Sequence, residues 1–451
     1  MVHPLKNWQK VKRGYKFGVK TFYSSHHLGV DYIVSEGTPI YAPVDCQIIK
    51  SGNFSQGGNT IHVTFNDLEH GKLIIRYMHL SKLFPKGDYN EGCILGYTGN
   101  TGKYTKGPHL HLDLSKEKVV IKDFKNFIDP DKYFTEMEIL GKYKLKKVRN
   151  LINRVVLCQN SAGELVVFKR ARGDECIMAF LVNELANDYN SKFSSLQLPT
   201  YNTIDKKDNI VIMPFYDGKN YIESWNSDGL YGGKYMKLEL VKEIVQVIRD
   251  FSKIDTNKVI EYLTEHQIVN FQFDFEEWKK QFINNAKFFL ENDFISQKEF
   301  HKANKLFGNG FKKSKLIFNN GDYYPRNILS YKGKIVVIDW QTWNGNYRAN
   351  IIDYIENVAA FAFIHMWNNH LWQIEFLKEL RKYFKINFKC LRNAILIKSF
   401  EQANFWRNNP GSKKQLFIFK NILDDNYIKQ LEKDTRPSLI NRILRIVKII
   451  S

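Results

Sequence analysis

The chain lacks several features that would place it in a membrane or in an oxidising compartment. It has no stretch of 18 apolar residues, and its start, MVHPLKNWQKVKRGYKFG, has no apolar run typical of a secretory signal. The five cysteines, at positions 46, 93, 158, 176 and 390, show no CxxC spacing and predict free thiols. No internal repeat or low-complexity tract is visible. These absences predict a cytoplasmic protein without a transmembrane segment.

The length and the charge of the chain limit the number of domains and the kind of partner. A chain of 451 residues is too long for one core, so two or three domains are expected, and a 43% hydrophobic composition lets each bury a core. Lys and Arg outnumber Asp and Glu by 67 to 47, which gives a net charge of +20 and suggests an anionic partner or substrate. The charge is dispersed and no nucleic-acid motif accompanies it, so we do not expect nucleic-acid binding.

Histidine is concentrated near the start of the chain. Eight of the twelve histidines lie at or before position 111, and five site candidates fall in the strings HLGVD (27–31), YMHL (77–80) and HLH (109–111). Side chains alternate between the faces of a strand, so His27 and Asp31 can share one face, and His109 and His111 can share another.

Two imidazoles and a carboxylate around an open fourth position are typical ligands of a hydrolytic zinc ion. Two further histidines beside the metal could move protons or stabilise an oxyanion. A single His-x-His pair is more often an accident of packing, but three clusters in strand-like sequence favour a metal site. The spacing alone does not decide whether His109 or His111 is the ligand.

Residues 20–135 resemble the lysostaphin-type zinc endopeptidases, which cut peptide cross-bridges of bacterial cell walls. The resemblance extends through GTPIYAPVDCQIIKSG (37–52), GGNTIHVTF (57–65) and GYTGNTGKYTKGPHLHLDL (96–114). The absence of an export signal leaves the substrate of such a peptidase open.

The resemblance implies a role for each of the five candidates. His27, Asp31 and His111 would bind zinc, with water as the fourth ligand. His79 and His109 would be the catalytic pair that orients or deprotonates this water and stabilises the tetrahedral intermediate.

A second group of candidates lies in NNGDYYPRNILSYKGKIVVIDW (319–340). The string contains two carboxylates, Asp322 and Asp339, and an amide at Asn327, five residues after Asp322. Asp339 is predicted at the end of a strand. Such a set can hold magnesium on phosphates and leave one carboxylate as a base. A D-x-x-x-x-N string alone is more often an ordinary turn followed by a strand.

The region from about 136 to 451 resembles the aminoglycoside phosphotransferase and choline kinase group. By that resemblance Asp322 would accept the proton of the substrate hydroxyl, and Asn327 and Asp339 would bind magnesium. Asn320 replaces the histidine usual in the family. IIDYIE (351–356) resembles the helix that follows, with Asp353 as a structural carboxylate.

The same resemblance predicts a nucleotide site for ATP or GTP. RVVLCQNSAGELVVFKRA (154–171) predicts two strands joined by a turn, with Lys169 on the α- and β-phosphates and Glu184 as its helix partner. Main-chain groups from Met213 to Phe215 would bind the adenine. Four tryptophans are candidates for the substrate pocket or the core: Trp340, Trp343, Trp367 and Trp372.

The sequence therefore predicts a multidomain chain, with an antiparallel β metallopeptidase domain (1–135) followed by an α+β two-lobed kinase-like domain (136–217 and 218–451). EMEILGKYKLKKVRN (136–150) is predicted to be a basic connector, and helical periodicity dominates from about residue 236. The basic, amphipathic tail LINRILRIVKIIS (439–451) predicts a docked C-terminal helix or a segment that touches a membrane surface. The expected cofactors are Zn²⁺, Mg²⁺ and ATP or GTP. The expected substrates are a small molecule with a hydroxyl group and a peptide or peptidoglycan-like chain.

Three functional hypotheses follow from this organisation. The first is a bifunctional peptidase and phosphotransferase that modifies an antibiotic or confers self-resistance. The second is a kinase whose peptidase-like domain only binds a wall peptide or partner. The third is a lytic wall endopeptidase exported by a route that the first residues do not show.

Overall fold

The computed structural model describes residues 3–22, 24–116, 123–152, 154–220, 238–268, 271, 275–306, 314–320, 327–340, 351–365, 370–405 and 418–436. The chain divides into two compact units, Met1–Lys169 and Arg170–Ser451. Among these described residues, no helix is both long and apolar enough to span a bilayer.

The first unit is mostly strands. These are β1 (Gly29–Tyr32), β2 (Pro39–Tyr41), β3 (Cys46–Phe54), β4 (Gly58–Asp67), β5 (Gly71–Met78), β6 (Lys82–Leu83), β7 (Gly87–Tyr89), β8 (Ile94–Tyr97), β9 (Leu110–Lys116), β10 (Phe127–Ile128), β11 (Lys146–Ile152), β12 (Val155–Gln159) and β13 (Leu165–Arg170). The helices are two 3₁₀ turns, Trp8–Lys10 and Phe124–Asn126, and α1 (Pro130–Lys142).

The main sheet of this unit is antiparallel, with strand order β1-β9-β5-β4-β3-β7 and β10 added beside β9. A smaller sheet has the order β2-β8-β6. Alternate residues of β5, namely Leu73, Ile75 and Tyr77, are fully buried, as expected for a strand with one face on the core. The predicted antiparallel β fold is confirmed.

Strand β1 lies unusually close to β9. The two pair with Gly29 opposite Asp113 and Asp31 opposite His111. A Cβ atom at Gly29 would lie 2.2 Å from the carbonyl oxygen of Leu112, far inside van der Waals contact. Glycine at this position therefore permits the close approach that brings Asp31 to β9.

The segment before β1 continues this edge of the sheet. Gly14 donates its main-chain N–H to the Asp31 carbonyl at 2.8 Å, and Asp31 donates to the Tyr15 carbonyl at 2.9 Å. His27 donates to the Val19 carbonyl at 2.8 Å. Residues 14–19 thus run beside the strand that leads into the histidine and aspartate cluster.

Residues 136–150, which the sequence suggested as a basic connector, form the second part of α1 and the first part of β11. The helix begins where Pro130 fixes the first turn and the Asp129 carboxylate accepts from the main-chain N–H groups of Asp131 and Lys132. The two strands predicted in residues 154–171 are confirmed as the antiparallel pair β12 and β13.

The second unit combines short strands with longer helices. Its strands are β14 (Leu196–Gln197), β15 (Thr203–Asp205), β16 (Ile210–Pro214), β17 (Lys219–Asn220), β18 (Leu316–Phe318), β19 (Ile328–Tyr331), β20 (Lys334–Val337) and β21 (Ile352–Tyr354). Its described helices are α2 (Glu175–Tyr189), α3 (Leu238–Phe251), α4 (Thr256–Glu265), α5 (Phe275–Glu291), α6 (Gln297–Leu306), α7 (Ile355–His365), α8 (His370–Leu380), α9 (Phe388–Phe405) and α10 (Asp425–Asp434).

The hydrophobic periodicity after residue 236 predicted helices correctly for α3 and α5. The prediction was wrong for the first part of 351–356, because Ile352–Tyr354 form β21, paired with β18, and α7 begins only at Ile355. A further mixed sheet has the strand order β14-β20-β19-β17. The basic tail, residues 439–451, lies outside the described residues.

Candidate metal centre

The candidate metal site lies where β1, β5 and β9 run side by side. The register places Asp31 and Met78 on either side of His111, on the two neighbouring strands. His109 directly precedes β9 and His79 directly follows β5. The spacing had suggested that His27 lies within the same strand as Asp31. His27 instead precedes β1 by two residues and lies in the segment that leads to the strand.

Three of the predicted residues bring one ligand atom each to a common point. The distances are 2.8 Å from His111 Nδ1 to Asp31 Oδ1, 3.1 Å from His27 Nε2 to His111 Nδ1, and 3.3 Å from His27 Nε2 to Asp31 Oδ1. Ligands about 2.0–2.1 Å from a tetrahedral zinc ion lie about 3.3 Å from one another. The donor set and its spacing therefore match a zinc ion with one position left open.

The remaining nitrogen of each ligand imidazole has an acceptor. His27 Nδ1 donates to the Lys16 carbonyl oxygen at 3.2 Å, and His111 Nε2 donates to Asp113 Oδ2 at 3.3 Å. Such contacts fix the tautomer and the ring orientation of a metal-binding histidine. They leave His27 Nε2 and His111 Nδ1 facing the common point.

Asp113 and Arg76 complete this arrangement, and the sequence interpretation missed both. Arg76 Nε and Nη2 donate to the two oxygens of Asp113 at 2.8 and 2.6 Å, across the pairing of β5 with β9. Asp113 is fully buried. Strand alternation could have identified Asp113, because it lies two residues beyond His111 on the same face.

The pKa values follow from these contacts. Burial disfavours protonated His111, but its hydrogen bonds to Asp113 and Asp31 and their charges outweigh this and raise its pKa to about 9. Burial acts against the charged form of Asp31, but hydrogen bonds from His111 and His27 hold the pKa of Asp31 well below its usual range. A cation bound by these residues would therefore compete with the proton of His111.

His79 and His109 lie beside the three ligands. Their ring centroids are 4.6 Å apart, and His109 Nε2 lies 4.0 Å from Asp31 Oδ1. His79 Nδ1 donates to the Thr101 carbonyl and His109 Nδ1 to the Gly107 carbonyl, each at 2.8 Å. Each imidazole therefore keeps its Nε2 for a substrate or a water molecule.

His79 also has an uncommon backbone conformation and a shifted pKa. Its φ of 64° lies in the left-handed region, which few non-glycine residues adopt and which occurs often at functional sites. Burial lowers the pKa of His79 to about 4. The imidazole of His79 is therefore neutral near neutral pH, and its Nε2 can accept a hydrogen bond.

The second predicted site is described only in part, because Asp322 lies outside the described residues. Asn327 and Asp339 stand at the open end of the hairpin formed by β19 and β20. The Ile338 N–H donates to the Asn327 carbonyl at 2.9 Å, and the Asn320 side-chain amide donates to the Ile338 carbonyl at 3.2 Å. The structure thus brings together the chain positions of Asn327 and Asp339, next to the substituted Asn320.

The predicted nucleotide contacts lie on regular elements. Lys169 is on β13, Met213 is on β16, and Phe215 follows that strand directly. Glu184 is an exposed residue of α2, and its charge acts on Lys258 and Tyr262 of α4. Its role as the partner of Lys169 stays a prediction.

The tryptophan candidates divide between the core and undescribed regions. Trp340 is buried, its indole N–H donates to the Val337 carbonyl at 2.7 Å, and its ring stacks on Phe318 at 5.3 Å between centroids. Trp372 packs against the same core and is partly buried. Trp343 and Trp367 lie outside the described residues. The structure thus supports core packing for Trp340 and Trp372.

Comparison with known proteins identifies the class of the first unit. Residues 25–123 match the model of Peptidase family M23. The first unit thus contains a lysostaphin-like M23 peptidase domain, in which the histidine and aspartate cluster lies.

Individual relatives also match part of the chain. The glycyl-glycine endopeptidase ALE-1 of Staphylococcus capitis is 41% identical over 107 residues, which is 22% of this chain and 28% of the relative. The peptidoglycan DD-endopeptidase ShyA of Vibrio cholerae is 36% identical over 91 residues, 20% of each chain. The chain thus spans between a fifth and a little over a quarter of these relatives.

Two solved structures are similar to part of this chain. The catalytic domain of lysostaphin from Staphylococcus simulans has 29% identity and a TM-score of 0.26, covering 30% of this chain and 98% of that one. The macrolide 2'-phosphotransferase MphH from Brachybacterium faecium has 11% identity and a TM-score of 0.44, covering 68% of this chain and 99% of that one. The kinase-like nature of the second unit stays a prediction.

Proposed function

We propose that the chain is a zinc-dependent endopeptidase whose substrate is the peptide part of peptidoglycan. The observation that supports this most strongly is the convergence of His27 Nε2, Asp31 Oδ1 and His111 Nδ1, with all three atoms within 4.8 Å of one another. The proposal assigns these three residues as the zinc ligands. A bound zinc ion at this point would supply a Lewis acid and lower the pKa of a bound water toward neutrality.

The chain's own residues would supply the remaining chemistry. His79 and His109 each have one nitrogen held by a main-chain carbonyl, so their free Nε2 atoms are oriented before substrate arrives. In the proposal one of them accepts a proton from the attacking water at its Nε2, and the other, in its protonated form, donates a hydrogen bond from Nε2 to the oxygen of the scissile carbonyl. Asp113 and Lys16 keep the ligand imidazoles in place.

Metal removal tests this proposal. The purified full chain is expected to contain about one zinc ion, and removing it with a chelator is expected to abolish release of peptides from purified peptidoglycan. Adding zinc back should restore the release. The panel should include glycyl-glycine peptides and a DD-endopeptidase substrate, since the relatives are named a glycyl-glycine endopeptidase and a peptidoglycan DD-endopeptidase.

Two outcomes would contradict the proposal. Cleavage that persists without metal would exclude the zinc mechanism. A zinc-loaded protein that binds peptidoglycan and cleaves no member of the panel would favour the alternative in which this unit only binds a wall peptide.

For the second unit we propose a magnesium- and ATP- or GTP-dependent phosphotransferase acting on a hydroxyl group of a small molecule. The supporting observation is that the β19–β20 hairpin places Asn327 and Asp339 together. Asp339 has a φ of 64°, a conformation that aspartate tolerates better than most residues. Antibiotic modification or self-resistance as the combined role of both units is part of this proposal.

Phosphate transfer tests this second proposal. The full chain with Mg²⁺ and ATP or GTP is assayed against aminoglycosides, choline-type alcohols and peptide antibiotics. Asp339→Asn is expected to abolish transfer, because the carboxylate charge that would hold magnesium is lost. Asp208→Asn, a substitution in an exposed turn, is the matched control and is expected to retain transfer. Equal rates in the Asp339 variant and the wild type would contradict the assignment.

A further inference from the structure

The two chain segments beside the candidate metal site are positively charged, and we call them together the basic rim. They are residues 12–28 and 99–111, and neither contains Asp or Glu. The one arginine, Arg13, is neutralised by Asp131 at 3.1 Å. Within the described part of the chain, the other basic residues have no acidic partner, and they are Lys12, Lys16, Lys20, Lys103 and Lys106.

Two of these lysines are held directly beside histidines of the site. The carbonyl of Lys16 accepts from His27 Nδ1 at 3.2 Å. Lys106 lies between Thr105 and Gly107, whose oxygens are 3.5 and 2.8 Å from His109 Nδ1. The main chain at both lysines is therefore fixed by the same contacts that orient the site, so both lysines are anchored next to the site histidines.

Exposed aromatic rings accompany these charges. Tyr15, Phe22 and Tyr104 are 46%, 86% and 42% exposed. The Tyr15 ring centroid is 5.8 Å from that of His27, and Lys106 Nζ is 6.0 Å from the Phe22 ring centroid, across the two segments of the rim. Aromatic rings beside cations at a site are typical of surfaces that bind a partner, whereas a merely solvated face has few large apolar side chains.

From this arrangement we infer that the basic rim binds free carboxylates of the substrate peptide, close to the scissile bond. The inference rests on the proposed peptidase function and specifies its substrate class as an acidic peptide. The stem peptides of peptidoglycan have such free carboxylates. Because the rim is solvent-exposed, its lysines contribute mainly through steering and weak ion pairs, which depend on salt.

The experiment uses two forms of the same polymer. Peptidoglycan freed of its phosphate polymers is compared with a portion of the same material whose carboxylates have been converted to amides. The zinc-loaded full chain is expected to cleave the native form with a kcat/KM about tenfold higher than the amidated form at low salt. Raising the salt from about 20 mM to about 300 mM is expected to remove most of this preference.

Charge variants connect the preference to the rim. Lys20→Glu combined with Lys106→Glu, one exposed lysine from each segment of the rim, is expected to abolish the preference while leaving cleavage of the amidated form largely unchanged. Lys86→Glu is the matched control, an exposed lysine beside β7 at the edge of the sheet opposite β1, and it is expected to retain the preference.

Three other outcomes would contradict the inference, and one of them would also contradict the proposed function. Equal cleavage of native and amidated polymer by the wild type would overturn the inference and leave the proposed peptidase intact. A preference that appears only while the phosphate polymers are still attached would also overturn it, in favour of phosphate recognition. Absence of cleavage of either form would overturn the proposed function, and the inference with it.

Discussion

His111→Ala is expected to abolish zinc binding, whereas His109→Ala is expected to leave about one zinc ion bound and to lower peptide cleavage by about 10²- to 10⁴-fold. The physical reason is the register of β1 with β9. Asp31 pairs directly with His111, whose Nδ1 lies 2.8 Å from Asp31 Oδ1, whereas His109 Nε2 lies 4.0 Å from the same oxygen. His109 is therefore beside the ligands without being one of them.

Metal content after gel filtration, measured by atomic emission, separates the two variants, and peptide release from peptidoglycan reports activity. His70→Ala is the control, because His70 lies in the turn between β4 and β5, at the end of β5 opposite to His79. It should retain both zinc and activity. If the His109 variant contained no zinc and the His111 variant kept its zinc, the assignment of ligand and catalytic residue would be reversed.

Asp113→Ala is expected to weaken zinc binding by about 10- to 100-fold, as is typical when a histidine ligand loses the carboxylate that orients it. It is also expected to lower the free energy of unfolding of the metal-free protein by about 3–5 kcal/mol, since Arg76 would keep a largely buried charge without its partner. The Arg76 side chain is 15% exposed and that of Asp113 is fully buried, so water cannot replace the lost ion pair easily.

Competition with a chromophoric chelator measures the zinc affinity, and urea unfolding in the presence of a chelator measures the stability. Asp113→Asn keeps the volume and one acceptor oxygen, so it should recover part of the zinc affinity and much less of the stability. Asp88→Asn, an exposed change on β7, should alter neither. Wild-type zinc affinity in the alanine variant would show that Asp113 does not position His111.

The five histidine and aspartate candidates could be predicted because they cluster in three short strings of strand-like sequence, and such clustering is visible along the chain. The choice of His111 over His109 could not be derived from alternation, since the two residues are two positions apart and alternation predicts the same face for both. It depends on which residue of β1 stands opposite, and Gly29 fixes that contact through a close approach to Leu112. Cross-strand register is a non-local property that spacing along the chain does not contain.

The role of Arg76 also could not be predicted from the sequence around it. It lies in the string IIRYMHL, close to His79, and nothing in that string indicates a partner 37 residues away. Only the pairing of β5 with β9 makes it the counter-ion of Asp113. In the second unit, β21 was missed for a similar reason, because its three residues are held as a strand by β18 and not by their own periodicity.

The ordered segment that precedes β1 bears on where the hydrolase fold begins. Family similarity starts at residue 25, yet the acceptor that orients His27 is contributed by Lys16. Trp8 and Gln9 donate to the carboxylate of Glu138, so helix α1, beyond the end of the similarity at residue 123, holds this leading segment in place. A fragment cut at the limits of sequence similarity would therefore lack part of its own metal-binding framework.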